Sequence, residues 1–358
     1  MTHDASFMAR ALALARRGLY TASPNPMVGA VLVSGGRVVG EGWHRSAGGP
    51  HAEVNALGLW NRRRRPATLY VTLEPCVHHG RTPPCVEAIL AAPVDRVVVA
   101  AQDSDPRVNG RGIAALRKAG LKVDVGLMGT EAVFLNRAFF HHRRHGLPYV
   151  VLKSAMTLDG RIADRRGRSR WITSEAARRE GKRLREEADA IVVGSRTVLS
   201  DDPRLGRLRE HPPRPPLLKV VLDPEGEVPP SARVFGTGPV LWVVGIGVAV
   251  RRTPANATLL PLPAPAGRFA LKALLKRLAG MGVQSLLVEG GGETAGRFLR
   301  AGLVQETAFF YGMKMLGEGV SGIGGFALPI GSAIGIRPFS IRRPGGDLFV
   351  RGTVCSRD

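Results

Sequence analysis

The sequence predicts an α/β protein of two domains. Three observations carry that expectation: a chain of 358 residues, a repeated alternation of short apolar β-rich runs with helical segments, and one polar break near residue 146. At roughly 150 residues per domain, the length suffices for two separate cores. Strands that alternate with helices favour a largely parallel sheet with helices on its faces.

The elements follow in order. Phe7 to Arg17 places Met8, Ala11, Leu12 and Ala15 on one helical face. Gly29 to Val33 and Arg37 to Glu41 read as strands, joined at the turn signal Ser34-Gly35-Gly36. Ala52 to Leu59 reads as a helix. The basic run Arg62 to Arg65 reads as a solvated loop, with phosphate binding as the alternative, and leads through Pro66 to a strand over Thr68 to Leu73. Arg96 to Ala101 is a strand, Gly112 to Ala119 a helix and Lys122 to Val125 a strand. His141-His142-Arg143-Arg144-His145-Gly146-Leu147-Pro148 interrupts the pattern and sets the expected boundary, giving domains 1–145 and 146–358. Its three histidines read as a polar linker, with metal binding as the alternative. Beyond it, Tyr149 to Lys153, Ala190 to Gly194, Leu218 to Leu222, Val240 to Val244 and Ser285 to Val288 are β-rich runs. Pro212 to Pro216 and Pro261 to Pro265 read as loops.

Apolar content of 44% and charged content of 22% are those of a globular chain. The longest apolar run, Pro239 to Val250, is too short to span a bilayer. Three cysteines do not make a disulfide scaffold. The N-terminal stretch lacks an uninterrupted apolar segment and a small-residue cleavage site, so no signal peptide is expected and a cytoplasmic location is. The formal charge of +22 suggests a polyanionic partner. Its distribution argues otherwise: residues 1–150 carry +9 and residues 151–358 carry +13, with no basic tail. Of the 51 basic residues 43 are Arg, the mark of an Arg-rich background. No nucleic-acid or membrane partner is expected; a small phosphorylated molecule and a second copy of the chain are.

The chemistry of the first half concentrates in His51-Ala52-Glu53, Pro75-Cys76 and Cys85. One imidazole and two thiolates are three zinc ligands, and three protein ligands leave a fourth position for water. Glu53, two residues past His51, is placed to carry a proton from the attacking water to a leaving amine, as in zinc deaminases. The two cysteines are not Cys-x-x-Cys; eight residues separate them.

That departure carries a resemblance. Thr72-Leu73-Glu74-Pro75-Cys76-Val77-His78-His79-Gly80-Arg81-Thr82-Pro83-Pro84-Cys85 resembles the deaminase domain of the bifunctional riboflavin-biosynthesis deaminase/reductase family. So do Pro24-Asn25-Pro26-Met27-Val28-Gly29-Ala30 and Gly48-Gly49-Pro50-His51-Ala52-Glu53-Val54-Asn55-Ala56-Leu57. Val77 stands where the family usually has Ser. The resemblance implies a cytidine-deaminase-like three-layer α/β/α domain, one Zn2+ held by His51, Cys76 and Cys85, and pyrimidine recognition by Asn25. It makes His44, His78 and Arg81 candidates for substrate contact.

In the second half, Lys153 to Ala163 follows a strand and precedes Trp171-Ile172-Thr173-Ser174. Strand Leu286 to Glu289 runs into Gly290-Gly291-Gly292-Glu293-Thr294 and a helix. Glycines between a strand and a helix let backbone N–H groups approach a phosphate, although the spacing is not Gly-x-Gly-x-x-Gly. The pair, with Thr197-Val198-Leu199-Ser200-Asp201-Asp202-Pro203 and Ala301-Gly302-Leu303-Val304, is similar to the reductase domain of the same family, which has a dihydrofolate-reductase-like α/β fold and uses NADPH. The resemblance implies that Ala155, Trp171, Thr197, Asp201, Gly291, Gly292, Glu293, Thr294, Ala295, Gly296 and Arg297 line NADPH. Lys153, Ser169, Arg185, Leu205 and Glu289 would face the substrate.

Departures cluster here. Gly206-Arg207-Leu208 replaces the usual Thr-x-Arg, so Arg207 or Arg209 is the expected substitute for a phosphate-binding Arg. Gln305-Glu306 and Tyr311-Gly312-Met313-Lys314-Met315-Leu316-Gly317 also depart from the pattern. The resemblance implies deamination of 2,5-diamino-6-ribosylamino-4(3H)-pyrimidinone 5′-phosphate, then reduction of its ribosyl side chain to ribityl. The alternative is a deaminase with a degenerate reductase-like domain.

Overall fold

The structure is a computed structural model that describes residues 3–58, 67–80, 82–212 and 214–355. The run Arg62 to Arg65 and the candidate Arg81 lie outside the described residues. The chain forms two compact units, Met1–Gly146 with His211–Pro215, and Leu147–Glu210 with Pro216–Asp358.

The first unit runs α1 (His3–Ala15), β1 (Gly29–Ser34), β2 (Arg37–Trp43), α2 (Ala52–Leu57), β3 (Ala67–Leu73), α3 (Cys85–Leu90), β4 (Val94–Ala101), α4 (Arg111–Lys118), β5 (Lys122–Val125), α5 (Gly129–Leu135) and α6 (Arg137–His145). Its five strands lie in the order β2-β1-β3-β4-β5. Only β3, β4 and β5 are mutually parallel; β1 is antiparallel to both neighbours. The sheet is therefore mixed rather than largely parallel, because the short turn at Gly35 and Gly36, both at positive φ, folds β2 straight back on β1.

Side chains alternate across β1. Ala30 and Leu32 enter a core with Ala52 and Ala56 of α2, Ile89 of α3 and Leu116 of α4. Val31 and Val33 enter the opposite core with Met8 and Leu12 of α1 and with Phe139 and Phe140 of α6. Two buried faces on one sheet make a three-layer α/β/α sandwich.

The histidine-rich segment is not a linker. It is the last turn of α6, anchored by buried Phe139 and Phe140 and stopped at Gly146 (φ 64°), whose N–H bonds to the His142 carbonyl at 2.9 Å. Basic side chains in a last turn complement the helix dipole, and glycine accepts the left-handed cap. The sequence signal was misleading because polarity at a helix end resembles polarity in a linker.

Two features fix the geometry at the carboxyl ends of the strands. A Cβ on Gly42 of β2 would lie 2.3 Å from the Ala52 carbonyl oxygen of α2, so glycine there lets α2 rest on the β2 backbone. The second feature is Glu74, which follows β3 and is 3% exposed. Its Oε2 accepts the N–H groups of Asp103 (3.1 Å) and Gly110 (2.9 Å), and its Oε1 those of Gly112 (2.9 Å) and Ile113 (3.2 Å). One carboxylate thus ties the loop after β4 and the start of α4 to the end of β3.

The second unit runs β6 (Tyr149–Thr157), β7 (Arg161–Ala163), α7 (Glu175–Glu187), β8 (Ala190–Gly194), α8 (Ser195–Asp201), β9 (Leu218–Asp223), β10 (Val240–Gly245), β11 (Ala257–Leu262), α9 (Leu271–Gly280), β12 (Ser285–Glu289), α10 (Gly292–Arg300), β13 (Glu306–Gly312), β14 (Val320–Ser321), β15 (Ile336–Arg342) and β16 (Leu348–Val354). Nine strands lie in the order β11-β10-β9-β8-β12-β6-β13-β16-β15. The first seven are parallel, and β16 and β15 close the sheet antiparallel. Pro261, expected in a loop, lies in β11; this is an edge strand, where a missing N–H is tolerated. Alternate residues of β8 face opposite cores, Ala190 and Val192 against Leu274 of α9 and Phe298 of α10, and Ile191 and Val193 against Leu184 of α7. Among the described residues no helix is long and apolar enough to cross a membrane.

Glu74→Gln removes a full charge from four buried N–H donors. The variant should lose about 2–3 kcal/mol in the unfolding transition of the first unit, measured by urea denaturation. An unchanged midpoint would show that the loop holds without it.

Candidate active sites

His51 is the residue that caps the start of α2, and Glu53 sits in that helix's first turn. Cys76 follows β3 through Pro75, and Cys85 opens α3. These elements bring one ligand atom from each of His51, Cys76 and Cys85 within 4.8 Å of one another. His51 Nδ1 lies 3.0 Å from Cys85 Sγ and 3.6 Å from Cys76 Sγ. Tetrahedral zinc with ordinary bond lengths sets a nitrogen-to-sulfur separation of about 3.6 Å, which the His51–Cys76 pair meets, while the His51–Cys85 pair lies closer.

The proton chemistry agrees. The Cys76 thiol is pushed down to about 4, chiefly by its bond with Cys85, while that bond and burial push Cys85 up. The pair therefore shares one proton in the absence of a cation. A divalent ion removes the repulsion between two thiolates and lets both ionise. Glu53 is 3% exposed, its Oε2 has no hydrogen-bond partner, and burial raises its carboxyl to about 7. A buried, unpaired carboxylate oxygen beside a ligand trio is a place for a proton in transit.

His51, Glu53 and Cys76 line a cavity of about 710 Å³ that also holds Asn25, His44 and His78. His44 is 2% exposed, and burial lowers its pKa. Its Nδ1 faces the Pro50 carbonyl oxygen at 3.2 Å and so carries the proton. Its Nε2 then accepts from Asn25 Nδ2 at 3.0 Å, which holds the Asn25 amide in one orientation. His78 Nδ1 is buried without a partner. Sequence reasoning missed the remaining wall: Asp103, Asp105 and Arg107 from the loop after β4, and Arg143 from α6. The available signal was position, since sites in open α/β sheets gather at the carboxyl ends of parallel strands.

In the second unit, Glu289 ends β12 opposite Lys153 of β6. Lys153 Nζ donates to Glu289 Oε1 at 3.0 Å, and Arg185 of α7 donates to both carboxylate oxygens at 3.0 Å. Burial opposes the charge on Glu289, but the two cations outweigh it and hold the carboxyl far below its usual range. Two cations on one anion leave the cluster positive, as an anionic substrate requires.

The glycine segment divides. Added Cβ atoms on Gly290 and Gly291 would meet nothing nearer than the Thr197 hydroxyl at 3.6 Å, and that hydroxyl accepts the Gly291 N–H at 3.0 Å. This open cradle at the start of α10 fits a cofactor pyrophosphate. Glu293 pairs with Arg196, and Thr294 Oγ1 lies against Gly194. Gly292, Ala295 and Gly296 also pack against the protein itself. They are buried, and a Cβ on Gly292 or Gly296 would lie 2.0 or 1.6 Å from the Ser321 or Gly324 carbonyl oxygen. Their small size serves packing. Arg297 donates to the Phe269 carbonyl at 2.8 Å rather than standing free.

Arg207 also departs from expectation. Its guanidinium is fully buried and donates to the carbonyls of Arg185 and Ala188, so it caps the end of α7 instead of meeting a phosphate. Leu205 is buried at φ 54°. Trp171 is 59% exposed with the Arg178 guanidinium 4.1 Å from its ring. Ala155 and Ser169 are half-buried, and Asp201 ends α8, where its carbonyl accepts from Arg170 at 3.1 Å.

A three-layer unit with a His-Cys-Cys trio and a buried glutamate, beside a dihydrofolate-reductase-like unit with a glycine cradle, defines a zinc deaminase joined to an NADPH-dependent reductase. Family models agree: residues 1–101 match the cytidine and deoxycytidylate deaminase zinc-binding region, and residues 148–330 match the RibD C-terminal domain. The riboflavin biosynthesis protein RibD of Escherichia coli is 43% identical over 331 residues, 89% of this chain and 90% of its own length. That of Aquifex aeolicus is 42% identical over 352 residues, 97% of each chain. The solved structure of Acinetobacter baumannii RibD is similar with a TM-score of 0.90 at 34% identity, covering 99% of both chains. The chain belongs to the RibD family of bifunctional riboflavin-biosynthesis deaminase/reductases.

His51→Ala or Cys85→Ala should lower zinc from one ion per chain to less than a tenth of that, read by metal analysis of the purified protein. Full zinc in either variant would overturn the assigned trio.

Proposed function

We propose that the first unit deaminates 2,5-diamino-6-ribosylamino-4(3H)-pyrimidinone 5′-phosphate and that the second reduces the ribosyl side chain of the product. The observation that carries this reading is the buried, unpartnered Glu53 oxygen beside the His51-Cys76-Cys85 trio. Zinc held by that trio supplies a Lewis acid that makes water nucleophilic at neutral pH.

The protein does the rest. Asn25, oriented by His44, keeps its carbonyl oxygen free to accept from the pyrimidine's N–H groups. His78 offers a second polar contact. Glu53 takes a proton from water as oxygen adds to the amino-bearing carbon, and gives it to the nitrogen as the C–N bond breaks. Water and the amine become a carbonyl and ammonia, and Glu53 returns to its starting state. Glu53 is the buried carboxylate beside the trio, so the proton has a carrier at the reacting carbon.

In the second unit, NADPH supplies the hydride when bound. Thr197 and the Gly290-Gly291 cradle hold the cofactor, and Trp171 offers an exposed ring for its planar groups. Lys153 and Arg185, fixed by Glu289, present positive charge to the substrate. The intact Lys153–Glu289–Arg185 cluster favours a working reductase over the degenerate alternative. We place the enzyme in the cytoplasm with a small phosphorylated pyrimidine as its partner.

Glu53→Gln should slow ammonia release by 10²- to 10⁴-fold while zinc content stays at the parent level; release at the parent rate would remove Glu53 from the reaction. Glu289→Gln, which leaves two buried cations without their anion, should slow NADPH oxidation at least ten-fold and spare ammonia release. Equal loss of both activities would point to misfolding instead of a positioning role.

A further inference from the structure

The cavity of the first unit extends beyond the Glu53 end to a second group of charged side chains. Asp105 is 5% exposed. Its Oδ1 accepts from Arg107 Nε at 3.0 Å and its Oδ2 from Arg107 Nη2 at 2.7 Å. The Arg143 guanidinium, carried by α6 and set over the Phe139 ring at 5.4 Å, stands 3.6 Å from the same carboxylate. All three residues line the cavity.

The arrangement is unbalanced in a useful way. The two guanidinium groups hold the Asp105 carboxyl down to about 2, so it is ionised at neutral pH. It consumes two of the five N–H donors of Arg107. The Arg107 Nη1 group bonds nothing among the described residues, and Arg143 lies beyond hydrogen-bond range of its partner. Asp103 borders the pair, its carboxyl raised by burial, and its Oδ1 accepts the Asp105 N–H at 2.8 Å. What remains is two planar forks with open donors facing a cavity. Such forks match the oxygen spacing of a phosphate.

We propose that Arg107 and Arg143, held in place by Asp105, form the subsite that takes the substrate's 5′-phosphate during deamination. Arg107 and Arg143 bind; Asp105 is a positioning residue that keeps the Arg107 fork from collapsing into solvent. The subsite rests on the deaminase reading of this cavity. It gives the first unit a means of discriminating phosphorylated from dephosphorylated ribosylaminopyrimidine that is separate from ring recognition by Asn25.

The test compares ammonia release from the phosphorylated substrate and from its dephosphorylated counterpart. For Arg107→Ala/Arg143→Ala, kcat/KM on the phosphorylated substrate should fall at least ten-fold more than on the dephosphorylated one, with most of the fall in KM. The single variants Arg107→Met and Arg143→Met, which keep the side-chain stems, should each show part of the effect if the double variant folds poorly. Arg144→Ala removes the same charge from the same helix but does not line the cavity; it should keep the parent's discrimination. Parent-like discrimination in the double variant, or an equal loss in Arg144→Ala, would overturn the subsite. No ammonia from the parent on either substrate would overturn the deaminase reading, and the subsite with it.

Discussion

The buried carboxylate of Glu74 organises the first unit. It directly precedes Pro75 and Cys76, so its four N–H bonds act at the point where the sheet hands over to the metal ligands. Burying a charge costs several kcal/mol unless every lone pair is used. Glu74 meets that condition with backbone donors alone. The same bonds that offset its desolvation fix the loop bearing Asp103, Asp105 and Arg107. Cys76 of the metal trio and the far wall of the cavity are therefore positioned by one side chain.

The second unit uses a buried carboxylate differently. Glu289 is satisfied by Lys153 and Arg185, which are themselves side chains expected to face substrate. Glu74 spends its charge on backbone and makes a rigid scaffold. Glu289 spends its charge on cations and leaves them positioned with charge in excess. The first arrangement builds a wall, and the second builds a charged surface.

Much of this was legible in advance. The zinc trio and Glu53 followed from residue types and order, because few side chains bind zinc and each unit of the motif sits at a predicted strand–helix junction. The α/β class and most strands followed from periodicity. The antiparallel β1 was harder to read, since a strand's direction depends on its partner. The helix over His141 to His145 was misread because its apolar anchors, Phe139 and Phe140, lie just before the polar run.

By itself the sequence determined the fold class, the family and the chemistry of both units, since these rest on residue identity and short spacing. Tertiary structure alone decided which residues of the glycine segment pack and which stay open, because Gly291 and Gly292 are alike in sequence and differ only in what approaches them. It also decided that Arg207 caps a helix while Arg107 and Arg143 face a cavity. An arginine's role depends on which acceptors lie within reach of its guanidinium, and those come from residues distant in sequence.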